Sequence, residues 1–379
     1  VKHRTNWRDY YNPIRGLTMS RLMGMEADAD RGQFADLQWF FMHMERADVT
    51  IAAAMARRLA FIDSLDWEIR VAENADPYLG GEQADLLRYA YDRISNFKQA
   101  SYFLASALFR GFAHVQKIRA GYGTLVSKLD PVEQWYWVRN ERGDWRLNPE
   151  TKQNEPKGEV VDPREFCVME APALHRGIDR HFFSKQLAMA DWDAALDASA
   201  NQSIFFVGPP GTTPEKEAEY LAMAEQLASN RRGYLPPGAD VKTIDLAQRS
   251  RVPYQERIDY CDRQIVLAAT GGLLTMLTES GSGTLAGGAH SEGLLELAKS
   301  DAAKLSEVYQ RDLDAEWLDT FFPHHPHAAY FAFNIPQQEN VPQLLENVAN
   351  LNWAGYRVDK ALLEEKTGLK LIDAVPPGA

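Results

Sequence analysis

Residues 254–293 read YQERIDYCDRQIVLAATGGLLTMLTESGSGTLAGGAHSEG. Up to Thr270 the pattern is that of a helix, with Ile258, Cys261 and Ile265 on one face. From Gly271 to Gly293 the composition is rich in glycine, serine and threonine, which is costly to hold in one conformation and predicts a loop. A long amphipathic helix follows, carrying Leu294, Ala298, Ala302, Leu305, Val308, Leu313 and Trp317. Upstream, residues 179–202 predict one long helix rich in alanine, which lets neighbouring helices approach closely. Between the two helices lies a small excursion. A short strand at 203–207 meets the hard turn Gly208-Pro209-Pro210-Gly211. Thr213 then caps a helix that has Pro214 at its first position and Glu215 and Glu217 in its first turn, and two short strands fall within 231–250. A helix out, a knob, a helix back and a loop describe an arm projecting from a body. An alanine-lined arm has a use when copies pack side by side around an axis.

The body surrounds this arm in sequence. Residues 1–33 suggest an extended segment with a short helix. Phe34, Leu37, Phe41 and Met44 then recur with helical period, and Asp48 is placed to cap a second helix carrying Ile51, Ala52, Met55, Leu59 and Ile62. Trp67, Ile69 and Val71 alternate as a strand does, and residues 82–109 are helical again, with Leu86, Tyr89, Phe97, Leu104 and Leu108 toward a core. Residues 112–170 switch to aromatic and β-branched clusters between turn signals, a β-rich meander. The C-terminal segment carries two short helical patterns, at 341–351 and 358–366, before a loose tail. The fold class is therefore α+β and mostly helical. Because the chain opens on Val1, a preceding segment is also expected.

Composition narrows the function. The 379 residues carry 41 Lys+Arg against 53 Asp+Glu, a net charge of -12, which argues against gripping nucleic acid by general basicity while leaving open a surface past which it slides. Two distant cysteines, Cys167 and Cys261, read as small buried hydrophobes in a reducing compartment. No apolar run approaches the roughly 20 residues of a membrane span.

Motifs for catalysis are weak. Gly281-Ser282-Gly283-Thr284-Leu285-Ala286 fits a dinucleotide fingerprint in letters, but a helix precedes it where a strand is required. The Gly208–Gly211 turn lacks the lysine of a phosphate-binding loop, and Pro326 interrupts the spacing of His324, His325 and His327 that zinc would need. No catalytic residue, metal site or cofactor is assigned.

The order of elements and three sets of residues resemble the portal proteins of tailed bacteriophages, specifically the Mu-like portal family. The first set is Gly32–Leu37, Met44–Asp48, Ile51–Ala53, Arg57–Ala60 and Leu65–Ile69. The second is Tyr254–Ile265, flowing into Gly271–Thr275, Gly281–Gly283, His290 and Ser300–Ala302. The third is Trp353–Tyr356 with Val358, Leu362, Glu365 and Thr367–Leu369. The resemblance implies a non-enzymatic ring, typically of twelve copies, at one capsid vertex of the virion and assembled in the host cytoplasm. Double-stranded DNA passes through its channel, and the terminase large subunit, the head–tail adaptors and the major capsid protein are its partners. It also implies a division of the chain. Residues 1–175 and 292–325 form a wing, 176–202 and 251–270 two stem helices, 203–250 a clip, 271–291 a tunnel loop and 326–379 a reduced crown.

On that mapping Thr278, Glu279, Ser280, Ser282, Thr284, Leu285 and His290 face the channel. Phe205, Pro209, Pro210, Glu215, Arg231 and Arg232 meet the motor or adaptor. Leu187, Ala190, Ala194, Ala198, Ile258 and Ile265 pack the stem. Two other readings remain: a different capsid-associated structural protein, which would bind capsid protein without a pore, and a nucleotide-binding enzyme using 271–291, which NAD or ATP would stabilise thermally.

Overall fold

Helix by helix, the chain begins with a side-chain cap. In the computed structural model, which describes residues 12–120, 123–148, 158–200, 204–207, 213–230, 240–243, 253–272, 284–334, 341–355, 357–360 and 363, Thr18 caps α1 (Met19–Asp30) by accepting from the Arg21 amide. Helix α2 (Ala35–Ala47) buries Leu37, Phe40, Phe41 and Met44. Asp48 caps α3 (Val49–Ser64) as its position predicts, its Oδ1 accepting from the amides of Thr50 and Ile51 at 2.9 and 3.2 Å. Strand β1 (Asp66–Val71) follows, then α4 (Pro77–Asp92), α5 (Phe97–Ala105) and α6 (Ala107–Arg110).

The single helical run anticipated over 82–109 is thus three helices. Asn96 breaks it by leaving the helix to bond both backbone groups of Leu129, its Nδ2 donating at 2.6 Å and its Oδ1 accepting at 2.9 Å. The buried phase of α4 runs through Ala84, Leu87 and Tyr91, so Tyr89, expected in the core, is exposed.

Gly111, at φ +97°, turns the chain from α6 into sheet. Strands β2 (Phe112–Arg119), β3 (Val126–Val132), β4 (Trp137–Arg139), β5 (Trp145–Leu147), β6 (Glu159–Val160) and β7 (Phe166–Glu170) make two antiparallel three-stranded sheets, ordered β3-β2-β7 and β4-β5-β6. Val115 opposes Cys167 in one and Val138 opposes Arg146 in the other. Between them Phe112, Val132, Tyr136, Trp137, Leu147 and Phe166 form an aromatic-rich core. The stretch is β-rich as predicted but is not a simple meander, because β2 pairs with β7 and the strands between them form the second sheet.

The arm comes next: α7 (His175–Ala200), β8 (Ile204–Val207), α8 (Pro214–Asn230), β9 (Asp240–Thr243) and α9 (Tyr254–Thr270). Strands β8 and β9 pair antiparallel, with Phe205 opposite Lys242. Beyond it stand α10 (Thr284–Tyr309), a π-helical turn at Gln310–Asp314, α11 (Ala315–Phe321), β10 (Ala329–Asn334) and α12 (Val341–Trp353). The described part of 358–366 has helical backbone at Lys360 and Leu363.

The π turn has a structural cause. It rotates Asp314 inward, where its carboxylate accepts from Tyr91 Oη at 2.6 Å and from the Phe331 amide at 2.7 Å, while Gln310 Nε2 donates to Phe331 O at 2.7 Å. Phe331 lies fully buried against Tyr91, ring centroids 4.7 Å apart.

Two boundaries therefore differ from the sequence reading. The first unit of the chain extends to Ala332 and the second covers Phe333–Ala379, so the start of β10 belongs to the body and not to the crown-like segment expected from residue 326. And α10 begins at Thr284, not after a loop to Gly293. Alanine and leucine between the glycines sustain the helix there, so Thr284, Leu285 and His290 stand on a helix. Among the described residues no helix is long and apolar enough to cross a membrane.

Candidate functional site: the paired helices and their buried anchors

Helices α7 and α9 pack on one another, and α9 also packs on α3. Three buried polar clusters set where they sit.

The first holds the root of α7. His175 is buried at the helix start, with Nε2 2.8 Å from Glu45 Oε1 on α2. Burial lowers the His175 pKa and keeps the ring neutral, so Nε2 carries the proton donated to Glu45. Arg110, at the end of α6, donates Nε to the same Glu45 oxygen at 2.8 Å and Nη2 to Oε2 at 2.5 Å, and its Nη1 donates to Gln134 Oε1 at 2.9 Å. Burial pushes the Glu45 carboxyl up, but the Arg110 charge and the bonds from Arg110 and His175 outweigh it and bring its pKa down to about 2. The carboxylate is ionised at neutral pH and ties α2, α6 and α7 together.

The second ties the middle of the pair. Lys185 on α7 reaches Asp48 Oδ2 at 2.9 Å and Asp262 Oδ1 on α9 at 2.6 Å. Burial alone would lower the ammonium's pKa, but the two carboxylates outweigh it and raise it. One lysine thus links the cap of α3 to both arm helices.

The third grips the end of α9. Arg58 on α3 donates Nη1 to Ala269 O at 2.8 Å, satisfying a carbonyl that the helix end leaves open, and pairs through Nε and Nη2 with Asp301 on α10. Gly271 ends α9 at φ +70°, where a Cβ would stand 2.8 Å from Leu297 Cδ1, so α9 stops hard against α10.

Beyond these anchors the pair emerges into solvent. Ile265, Cys261 and Ala188 are buried and Ile258 is half-buried, whereas Leu187, Met189, Ala190, Trp192, Ala194 and Leu196 are exposed. Trp192 stacks on Tyr254 across the two helices, centroids 6.5 Å apart and planes at 12°. The arm thus has a seated inner half and an outer half that presents apolar and alanine side chains to water.

The other residues singled out from sequence are scattered relative to this. Ala198 is on α7, Phe205 on β8, and Glu215 is exposed in the first turn of α8. Pro209, Pro210, Arg231, Arg232, Thr278, Glu279, Ser280 and Ser282 lie outside the described residues. At the histidine cluster, His327 Nε2 is 2.9 Å from Asp319 Oδ1 and Pro326 O accepts from Gln83 Nε2, and no group of three metal-capable side chains occurs among the described residues.

Sequence reasoning missed every anchor except Asp48 in its capping role. A signal existed: Arg58 falls on the stripe of Ile51 and Ile62, and Asp301 on that of Ala298 and Leu305, so each places a charge on a buried face.

Comparison with known proteins bears on this arrangement. A family model described as the portal protein of Mu bacteriophage matches residues 38–369. The chain is 21% identical over 375 residues to the Mu-like prophage FluMu protein gp29 of Haemophilus influenzae, covering 94% of this chain and 71% of that protein. It is 22% identical over 322 residues to the portal protein of Escherichia phage Mu, covering 81% of this chain and 61% of that one. Among solved structures, a chain in the virion of the native gene transfer agent particle superposes with a TM-score of 0.57 at 13% identity, covering 92% of this chain and 99% of its own. A chain in the neck of the native particle, computed with C12 symmetry, gives 0.56 at 13% identity, with 93% and 99% covered. The two solved structures share the fold.

Proposed function

This chain belongs to the family of Mu bacteriophage portal proteins, and from that premise we infer that it is one subunit of the ring that forms the DNA channel at a single capsid vertex and through which DNA is packaged. The observation that carries the reading is the family match across residues 38–369, which takes in the whole arm, together with the exposed apolar outer half of α7. A face of that kind on a lone subunit is what a neighbouring copy buries when the contact is heterologous and the ring closes.

The finer assignments follow the family's plan. The ring has twelve copies, a number favoured by the twelvefold neck in which a chain of the same fold is found. Helices α7 and α9 are its stem, and residues 203–250 its clip. There Phe205, Pro209, Pro210, Glu215, Arg231 and Arg232 meet the terminase large subunit during packaging and head–tail adaptors afterwards. Residues 271–291 face the channel with Thr278, Glu279, Ser280, Ser282, Thr284, Leu285 and His290, the last three from the start of α10. Residues 1–175 and 292–332 form the wing, toward the major capsid protein, and 333–379 the crown. Such a ring works in the virion after assembly in the host cytoplasm. The chain spans 71% and 61% of the two curated relatives, so the partners of a complete portal are our reading for this one.

Electrostatics supports a channel that slides and does not grip. Each retained phosphate contact adds a salt-dependent hold, and a chain of net charge -12 repeated around a ring supplies few of them. The family is structural, and we assign the chain no reaction.

Native mass spectrometry and negative-stain averages of the purified chain test this. A closed ring of about half a megadalton is expected, from twelve copies of 42.8 kDa. Monomers and dimers alone, under conditions that assemble a related portal, would overturn it.

A further inference from the structure

The outer half of α7 is one-sided in charge. From Gln186 to Ala200 it reads QLAMADWDAALDASA, with aspartates at 191, 193 and 197 and no lysine or arginine. Asp193 and Asp197 stand one turn apart, a spacing at which like charges destabilise a helix. Both are exposed, and among the described residues neither has a cation partner. Their own α9 does not supply one. It meets the side of α7 marked by Lys185, paired with Asp262, and by Trp192, stacked on Tyr254. At about 100° per residue, Asp193 and Asp197 point about 100° and 140° away from Trp192. Met189 and Leu196 share their flank, both exposed and about 10 Å apart along the axis.

Helix α9 carries the complement. Tyr260 and Leu267 are exposed at the same seven-residue spacing, with Arg263 between them and Arg257 one turn beyond Tyr260. Arg257 lies over the Tyr260 ring, 5.5 Å from its centroid, and has no acid three or four residues away on its helix. Glu256 and Asp259 share this exposed side. Asp259 stands one turn from Arg263, yet among the described residues neither carboxylate pairs with an arginine.

We propose that Met189, Asp193, Leu196 and Asp197 of one subunit dock on Leu267, Arg263, Tyr260 and Arg257 of the next, Asp193 pairing with Arg263 and Asp197 with Arg257. The contacts at Lys185 and Trp192 show that α7 and α9 run antiparallel, so both rows read apolar, charged, apolar, charged from the root of the arm to its tip. A second copy brings both rows in equal number and leaves none of the four charges single. The rows lie on different faces, so the contact is heterologous and repeats around a closed ring. A DNA backbone would be repelled by the aspartates. The inference rests on the ring reading and names the surface that the outer half of α7 meets.

The test uses the full chain. Asp193→Arg/Asp197→Arg and Arg257→Asp/Arg263→Asp alter only exposed side chains, so each melts as the parent does below assembly, while its concentration for half-assembly rises about tenfold or more. An equal mixture of the two variants should close into rings in native mass spectrometry, with the two kinds in equal number, because each reversed row meets its complement on the other chain. Where a reversal lowers the melt itself, Asp193→Asn/Asp197→Asn and Arg257→Gln/Arg263→Gln are read instead. Their combination should then assemble no worse than either pair alone, as for partners in one contact. Wild-type rings with variants that assemble equally well, a mixture that stays apart, or additive losses in the neutral set overturn the pairing alone. Absence of rings in the wild type overturns the portal reading as well.

Discussion

Arg58 and Asp301, 243 residues apart in sequence, meet in the interior through two hydrogen bonds, Nε to Oδ2 at 2.8 Å and Nη2 to Oδ1 at 3.1 Å. The third nitrogen of the same guanidinium holds Ala269 O, so one side chain joins α3, the end of α9 and α10. The pair is 8% and 1% exposed, and it is therefore an anchor whose partners cannot be removed singly. Arg58→Met leaves a buried carboxylate whose other cation is the half-exposed Lys304, 3.8 Å away, and should cost about 3–5 kcal/mol in urea unfolding. Arg58→Met/Asp301→Leu should recover much of that, because no uncompensated charge remains. Equal losses in the single and double variants would mean that the side chains matter through packing alone.

Glu45 gives an acid limb. Its folded pKa of about 2 lies below the ordinary 4.5, so between these values the unfolded chain binds more protons and stability falls as pH falls. The contribution is fully present above about pH 4.5 and is worth about 3 kcal/mol. Glu45→Gln should be less stable than the parent at pH 7, and the gap should close as pH drops toward 2. Chemical denaturation at several pH values reads it directly.

Asp179 works in the opposite direction. It is buried on α7 and neither carboxyl oxygen has a hydrogen-bond partner. Burial and the nearby Glu26 raise its pKa to about 7, against the opposing pull of Arg180 and Arg176. The folded chain then holds a proton that the unfolded chain releases above pH 4, and this site's contribution to stability falls between about pH 4 and 7. Asp179→Asn should stabilise the protein at pH 8 by about 2–4 kcal/mol and change it far less at pH 4. A pH-independent effect would show that the carboxyl is ionised throughout.

What the sequence made legible follows from which forces are local. Helix α9, bounded by Pro253 and Gly271, and α8, opened by Thr213 and Pro214, lie where their cap residues predict, because caps and turn residues act within a few positions. The break at Asn96, the π turn at Gln310–Asp314 and the return of β10 to the body were not legible. Each depends on a partner far along the chain: Leu129, Tyr91 and, for β10, the strand β1 with which it pairs. The arm was read from its pattern of helices, whereas the charges that seat it, Glu45, Lys185 and Arg58, became visible only once folding brought distant partners together.

The outer half of α7 offers the sharpest separation of fold from assembly. Ala194 is exposed on the single chain, so Ala194→Leu should change monomer stability by no more than about 0.5 kcal/mol, the usual range for a surface site. In a ring whose stem helices pack through alanine, the added volume meets the neighbour and should cost about 1–3 kcal/mol at every interface. Because each copy contributes one such contact, the penalty recurs around the circle and closure should fail before folding does. Thermal melts at concentrations below assembly, set beside native mass spectra above it, separate the two effects. An intact ring with an unchanged melt would place Ala194 on a face that stays in water, and would move the subunit contact to the side of α7 carrying Trp192 and Leu196.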